Sequence, residues 1–194
     1  MKKLLLALVS LLAGMALVSC TRPIKNKAAL EKYVQDSTHG LTRTYEVNKV
    51  KSALTYLPWQ MLASKTHRSD PASLKVLKSK YYFVLGLSAN GKELLRQLPY
   101  EQYSEMVQTL AFRLRPNVSI VTDKGKVVEA ADCQFQQTYG MGKENEVLLV
   151  FNRSELQDAK EMDLKIKEFG LNIGNLDYKV SSGDIAQLPD TQIK

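Results

Sequence analysis

The sequence predicts a mainly β protein, an antiparallel β-sandwich of immunoglobulin-like architecture with a few short helices. Seven to nine short segments show the alternation or apolar runs of strands, and Gly and Asn turns separate them. Helical spacing occurs in only a few places. The chain has 194 residues, of which 44% are hydrophobic and 24% charged, a composition typical of folded globular proteins.

The first elements are a helix and a pair of strands. Residues 26–37 are predicted to be helical, with Asn26 as the cap. Alternation begins at Thr42, and its parity shifts at Asn48-Lys49, which indicates either a tight turn or a β-bulge. Pro58-Trp59 ends this segment.

A short helix and a central strand come next. Asp70-Pro71 is a helix start, because Asp caps and Pro suits the first helical position. The apolar run Tyr81–Leu87 predicts a strand that is covered on both faces. Asn90-Gly91 suits positive φ and predicts a hairpin tip.

The segment around residues 101–110 has two interpretations. The spacing from Tyr103 to Leu110 is helical, whereas Leu110, Phe112 and Leu114 alternate with polar residues. We therefore expect a helix that converts to a strand near Leu110, with a strand throughout as the alternative.

The remaining chain is predicted to be mostly strands. They are expected at 118–122, 126–136, 146–151, 162–166 and 176–180. Ser154 and Gln157 are interpreted as a capping box for one short helical turn. The glycine-containing loops at 140–142 and 170–174 match no nucleotide-binding pattern and are interpreted as strand connections.

The N-terminus has the pattern of an export signal. Lys2 and Lys3 precede an apolar run over 4–18, which as a helix would span roughly 22 Å and is too short for a hydrocarbon core of about 30 Å. The run ends in Leu17, Val18, Ser19 and Cys20, a sequence that looks like the bacterial lipobox. An ordinary secretory signal with a chance cysteine is the alternative.

Lipidation at Cys20 would define both the anchor and the mature chain. Diacylglycerol would be attached to the thiol and an acyl chain to the freed amine, and two or more chains give stable anchoring. We expect no other cofactor. Thr21 stands where an Asp would retain a lipoprotein in the inner membrane, so the resemblance favours the periplasmic face of an outer membrane.

Three regions follow from this prediction. They are a signal peptide over 1–19, a lipidated N-terminus, tether and short helix over 20–40, and a single β-sandwich domain over 41–194. Removing Lys2 and Lys3 from the 27 basic residues leaves 25 against 20 acidic ones, a formal charge of +5. The basic residues are scattered, so a nucleic-acid partner is not expected.

One stretch carries a resemblance to a family. Residues 145–154, followed by a polar turn and 162–166, resemble a pairing that recurs in exported immunoglobulin-like lipoprotein domains. The chain is similar to an uncharacterised family of such lipoproteins in Gram-negative bacteria. That resemblance supplies no catalytic residues.

Few residues are candidates for chemistry. Cys133 would be the only free thiol after lipidation, either as a small buried apolar residue or as a nucleophile served by His39 or His67. Glu101 and Glu105 share a helical face, either as paired carboxylates or as its solvated side. No metal-ligand spacing is present, so no metal site is predicted.

The aromatic residues are candidates for binding. Tyr56, Trp59, Tyr100 and Tyr103 could form a platform for a ligand or partner, because each offers a rigid face and a polar tip. Packing in the core or at its rim is the alternative.

The predicted function is that of a membrane-anchored, non-enzymatic binding or envelope-assembly module. Its partner would be an unidentified envelope protein or glycan. The alternatives are a carbohydrate- or peptidoglycan-binding module that uses Trp59, and a cryptic hydrolase that uses Cys133 or the paired acids.

Overall fold

The computed structural model describes residue 24 and residues 26–66 and 69–188. It confirms a mainly β fold with two antiparallel sheets and a few short helices. The predicted signal peptide, the lipobox residues Leu17, Val18, Ser19 and Cys20, and His67 lie outside the described residues.

Sheet 1 contains the central strand of the fold. In order across the sheet its strands are β1 (Thr42–Val47), β2 (Val50–Tyr56), β3 (Lys80–Ala89), β8 (Asn145–Asn152) and β7 (Asp132–Gln136). A short strand, β4 (Lys92–Glu93), also pairs with β3. The apolar run in β3 is therefore central, as its composition predicts, with neighbours on both sides.

Sheet 2 is smaller. In order its strands are β10 (Leu176–Ser181), β9 (Glu161–Ile166), β5 (Val118–Thr122) and β6 (Val127–Glu129). Along β10 buried and exposed residues alternate, so that one face joins the core and the other faces solvent.

Six short α-helices accompany the sheets in the described residues. They are α1 (Lys27–Gln35), α2 (Trp59–Thr66), α3 (Pro71–Lys78), α4 (Tyr100–Gln108), α5 (Arg153–Leu156) and α6 (Ser182–Ala186). Asn26 and Asp70 cap α1 and α3 through their side chains, as predicted. Helix α2 was not predicted from the sequence.

The expected capping box at Ser154 is wrong. Helix α5 begins at Arg153, and its capping residue is Asn152, whose side chain makes no capping hydrogen bond. Asn152 instead donates from Nδ2 to Glu155 Oε1 at 2.6 Å. The chain leaves β8 directly into this helix, two residues before the sequence pattern suggests.

The two predicted hairpin turns are tight. Asn48 and Lys49 have φ values of 52° and 65°, and Asn90 and Gly91 have 52° and 70°. Two successive residues with positive φ match the twist of antiparallel strands. The parity shift at Asn48-Lys49 is thus a two-residue turn that joins β1 to β2, and not a bulge.

The strand predicted over 126–136 is two strands, β6 and β7, and not one, because the chain changes sheets between them. Strand β6 pairs with β5 in sheet 2, whereas β7 pairs with β8 in sheet 1. Ala130 N–H donates to the Val118 carbonyl and Ala131 N–H to the Val150 carbonyl. Two alanines therefore make the crossing, since each bonds to a different sheet.

The predicted conversion to a strand near Leu110 is also wrong. Helix α4 continues into a π-helical turn over Thr109–Arg113, and the next strand begins only at Val118. Leu110 and Leu114 are buried while Phe112 is 83% exposed. The wider turn keeps both leucines on the core side, so alternation in this segment does not indicate a strand.

Both sheets contribute to one hydrophobic core. Phe83 lies at its centre, fully buried, with ring centroids 5.6 Å from Tyr56 and 6.1 Å from Phe151 in edge-on arrangements. Tyr45 of sheet 1 contacts Tyr178 of sheet 2, with centroids 5.1 Å apart. The Tyr45–Tyr178 contact joins the two sheets, whereas Phe83, Tyr56 and Phe151 pack together within sheet 1.

The strand directions define two ends of the molecule. At the proximal end, Thr42 Oγ1 donates to the Val34 carbonyl of α1 at 2.8 Å, and Arg43 lies 3.9 Å from Asp184 of α6. Strand β1 runs from there to the turn at Asn48-Lys49, which lies at the distal end. Both terminal helices of the described chain therefore contact the proximal end.

Tyr178→Phe is expected to leave the free energy of unfolding unchanged or to raise it by up to about 1 kcal/mol. The Tyr178 hydroxyl is buried without a well-aligned hydrogen bond among the described residues. Burial raises the pKa of Tyr178 to about 12, against a smaller lowering by the adjacent Ser52 hydroxyl. Urea denaturation would test this, and a loss of 2 kcal/mol would show that the hydroxyl is properly bonded.

Candidate functional site

Four connections lie at the distal end. They are the β1–β2 turn at 48–49, the β3–β4 turn at 90–91, the β7–β8 loop at 137–144 and the β9–β10 loop at 167–175. Asn48 Nδ2 donates to the Asn172 carbonyl at 3.2 Å, which links the first connection to the last. The distal end is thus the place where several loops can act on one ligand.

The β7–β8 loop is held by a buried carboxylate. Glu93 is 2% exposed and accepts hydrogen bonds from the Thr138 hydroxyl, from the N–H groups of Gly140 and Gly142 at 2.7 Å each, and from Asn145 Nδ2 at 3.4 Å. Burial acts to raise the pKa of Glu93, but these hydrogen bonds outweigh it and hold the pKa below its usual value. The charged carboxylate therefore orders the loop.

The β9–β10 loop is built in the same way. Glu168 Oε1 accepts from the N–H groups of residues 170, 171 and 172 at 2.7–3.0 Å, and Oε2 accepts from those of residues 173 and 174 at 2.9 and 2.6 Å. Burial acts to raise the pKa of Glu168, but the five backbone donors hold it below the usual value. Gly170 and Gly174 supply the positive φ that this wrapping requires.

Sequence reasoning did not identify either glutamate. Both loops were interpreted only as strand connections, which is what they are topologically. The signal that could identify Glu168 is an acid followed closely by glycines, since successive N–H groups in such a turn converge on an anion. Glu93 carries no such signal, because its partners lie 45 to 52 residues away.

The loops frame a cleft on the outer face of sheet 1, which we call the distal cleft. Its volume is about 640 Å³. Its lining is mostly charged and polar: Glu46, Lys49, Lys51, Ser88, Asn90, Gly91, Lys143 and Glu144. Side chains from two hairpin turns and from the loop that Glu93 orders therefore meet around one cavity.

Glu144 lies against the backbone of the central strand. A Cβ atom placed on Gly86 would be 2.5 Å from its Oε2 atom, so only glycine leaves room for this carboxyl group. The side chain accepts no hydrogen bond among the described residues. Burial raises the pKa of Glu144, as does the nearby Glu146, while Lys51 lowers it by a smaller amount.

A second, more apolar groove adjoins the helices α2 and α3. One part, of about 410 Å³, is lined by Leu62, Phe135 and Leu148 among others. A neighbouring part of about 340 Å³ includes Val76, which is 56% exposed. The two parts share Leu62 and Leu148, so they form one groove between the helices and sheet 1.

Within the described residues the basic group that acts on Cys133 is the Arg115 guanidinium, which lowers its pKa by less than burial raises it. Cys133 is half-buried in the edge strand β7, and burial raises its pKa to about 12, with a further contribution from Asp132. Its thiol is therefore protonated at neutral pH. His39 is held elsewhere, stacked on the Tyr33 ring at 3.6 Å with Nδ1 2.8 Å from the Tyr33 carbonyl.

The two helical acids are on the surface. Glu101 and Glu105 are both exposed on α4, whose buried side carries Met106. Neither forms an ion pair within the described part of the chain. Among the described residues no group of three or more His, Cys, Asp or Glu side chains could hold a metal ion.

The four candidate aromatic residues have different surroundings. Tyr56 is buried beside Phe83, and Tyr100 is exposed. Trp59 is half-buried, with Lys78 Nζ 4.6 Å from its ring centroid. The Tyr103 hydroxyl accepts from Gln137 Nε2 at 2.9 Å, at the start of the β7–β8 loop.

Comparison with protein-family models, with curated proteins and with solved structures finds no significant match to this chain. No helix within the described ranges is long and apolar enough to cross a membrane.

Proposed function

We propose that this chain is a lipid-anchored, non-enzymatic binding module of the bacterial cell envelope. The anchor would be the diacylated and N-acylated Cys20, at the periplasmic face of an outer membrane. The lipobox at residues 17–20 and the preceding apolar run support this assignment. We also propose that the fold is a variant of the immunoglobulin-like β-sandwich, supported by two antiparallel sheets that share one core.

The observation that carries the proposal is the placement of the distal cleft. Helix α1, which follows the tether in sequence, contacts the proximal end through Val34 and Tyr33. The cleft lies at the other end of sheet 1, beside the turns at 48–49 and 90–91. A chain anchored through Cys20 would thus hold its proximal end nearer the membrane and present the loops of the cleft away from the membrane.

The loops around the cleft are suited to binding because they are pre-organised. Glu93 satisfies several donors of the β7–β8 loop, which supplies Lys143 and Glu144 to the cleft, and the two hairpins use tight turns. A loop ordered before binding loses little conformational entropy when a partner is bound. This favours recognition by a rigid surface.

The hydrolase alternative has less support. A thiol with a pKa of about 12 is a poor nucleophile at neutral pH, and among the described residues the one histidine, His39, is held at Tyr33. The glycan alternative depends on Trp59, one face of which Lys78 approaches. The distal cleft is therefore the site we favour.

Site-specific cross-linking in intact cells tests the function. A photo-reactive residue at Asn90, on the rim of the cleft, is expected to give a discrete cross-linked product in the full-length lipoprotein. The same residue at Lys179, on the exposed face of β10, serves as the control. Cys20→Ala should release the protein from the membrane fraction and weaken the product. Identical products at Asn90 and Lys179, or none at Asn90, would contradict the proposal.

A further inference from the structure

The lysines of the distal cleft form no ion pair among the described residues, although Glu46 and Glu144 line the same cleft. Within the described residues, ion pairs form only at Lys27, Arg43 and Lys165, all outside the cleft. Lys49, Lys51 and Lys143 are exposed and have no carboxylate within 4 Å. Glu46 faces Lys51 in the register of β1 and β2, but the two do not form an ion pair. The cleft therefore presents three ammonium groups to solvent.

At the floor of the cleft, the space above Gly86 already holds a carboxyl group. Glu144 occupies the space above Gly86, where the absence of a side chain leaves the strand backbone open. This carboxyl group is half-buried and unbonded, and burial together with Glu146 raises its pKa. The Glu144 carboxylate is held weakly here, because its hydration is partly lost and no lysine of the cleft lies within 4 Å to replace it.

We propose that the distal cleft binds a carboxylate-bearing ligand, which takes the place of Glu144 above Gly86 and is contacted by Lys49, Lys51 and Lys143. Glu144 is then an internal competitor that moves aside when the ligand enters. This inference rests on the proposed binding function and adds the chemical class of the ligand.

The charged groups around the space above Gly86 determine whether each substitution strengthens or weakens ligand binding. Lys49 and Lys51 approach from the β1–β2 hairpin and Lys143 from the loop before β8. Glu46 and Glu146 are the acids on the neighbouring strands, and both oppose an anionic ligand. The three lysines must outweigh them, so loss of one lysine weakens binding and loss of Glu144 strengthens it.

Citrate is a suitable probe because it carries three carboxylates on a small frame. Equilibrium dialysis of radiolabelled citrate against the full-length lipoprotein in nanodiscs is expected to show saturable binding. Lys51→Gln and Lys143→Gln should each raise the Kd by about two- to fivefold, the range for one exposed charge contact. Glu144→Ala should lower the Kd by about the same factor, and Gly86→Ala should abolish binding by filling the space.

Lys179→Gln is the matched control, because it removes the same charge from the opposite sheet. Thermal unfolding of each variant would separate misfolding from loss of the site, and Glu144→Ala, a gain in affinity, cannot arise from misfolding. Equal weakening by Lys179→Gln, no saturable binding, or tighter binding of inorganic phosphate than of citrate would overturn the inference. An Asn90 cross-link without citrate binding would support the binding module and contradict only its carboxylate specificity. Citrate binding without that cross-link would support the carboxylate site and contradict the proposed binding module.

Discussion

Glu93→Ala is expected to lower the free energy of unfolding by about 3 kcal/mol. The change removes the single acceptor shared by Thr138, Gly140, Gly142 and Asn145. Hydrogen bonds to a charged group contribute more than neutral ones, and donors buried without an acceptor lose their hydration without compensation. The β7–β8 loop should lose its order, and with it the position of Lys143 and Glu144 in the distal cleft.

Urea denaturation measures the loss of stability, and amide hydrogen exchange over 137–144 measures the loss of order. Glu93→Gln is the matched variant, since it keeps the size of the side chain but replaces one acceptor oxygen by a donor. We expect Glu93→Gln to lower the free energy of unfolding by about 2 kcal/mol. Full protection of the loop in either variant would show that Glu93 does not order it.

The Glu93 carboxylate also makes the free energy of unfolding depend on pH in the acidic range. The pKa of Glu93 is lowered in the folded protein, so its contribution is complete above the unfolded-state pKa of about 4.3 and is lost as the pH falls through the folded-state value. Glu168 acts in the same direction. Glu144 acts in the opposite direction, because its raised pKa gives a contribution that is lost as the pH rises through that value. Glu93→Gln should therefore flatten the fall in stability below pH 4.

Phe83→Ala is expected to destabilise the protein by about 4 kcal/mol. Phe83 is fully buried in the central strand, where Tyr56 and Phe151 pack against its ring. Removal of the ring leaves a cavity that two sheets and their helices cannot close without moving several strands. A loss of this size is a large fraction of the about 5–15 kcal/mol by which a domain is typically stable.

Phe112→Ala is the matched control for that experiment. The chemical change is identical, but Phe112 is 83% exposed on the π-helical turn after α4. Its effect should stay within about 0.5 kcal/mol, as for most surface substitutions. Chemical denaturation of both variants measures the difference in the free energy of unfolding. A comparable loss of stability from Phe112→Ala would support the buried strand that alternation predicts for this segment.

Local signals predicted most of the elements and failed at helix α2, at the cap of α5 and in two alternating segments. Asn26, Asp70-Pro71, Asn48-Lys49 and Asn90-Gly91 act on neighbouring backbone groups, so their effect can be read without the rest of the fold. Alternation at 110–114 and at 126–136 was misleading. In the first case a π-helical turn buries Leu110 and Leu114 but leaves Phe112 exposed, and in the second the chain changes sheets at Ala130 and Ala131.

The candidate site was harder to predict from the sequence than the fold. Tyr56, Trp59, Tyr100 and Tyr103 have the right chemistry for a platform, but side-chain direction depends on the packing of each element. The distal cleft combines charged and polar residues of three separate segments with Gly91, and each is ordinary in its local context: Glu46, Lys49, Lys51, Ser88, Asn90, Lys143 and Glu144. Only the antiparallel order of β1, β2, β3 and β8 brings these segments to one end of sheet 1.

By itself the sequence determined the mainly β class, the turns, the helix caps and the prediction of an anchor at Cys20. Each depends on residues within a few positions of one another, where backbone geometry and short-range hydrogen bonds decide the outcome. Only the tertiary structure decided that Glu93 orders a loop 45 residues further along, that Glu144 lies above Gly86, and that three lysines share a cleft. These contacts arise from the pairing of distant strands, and burial and electrostatics act across space without regard to separation in the chain.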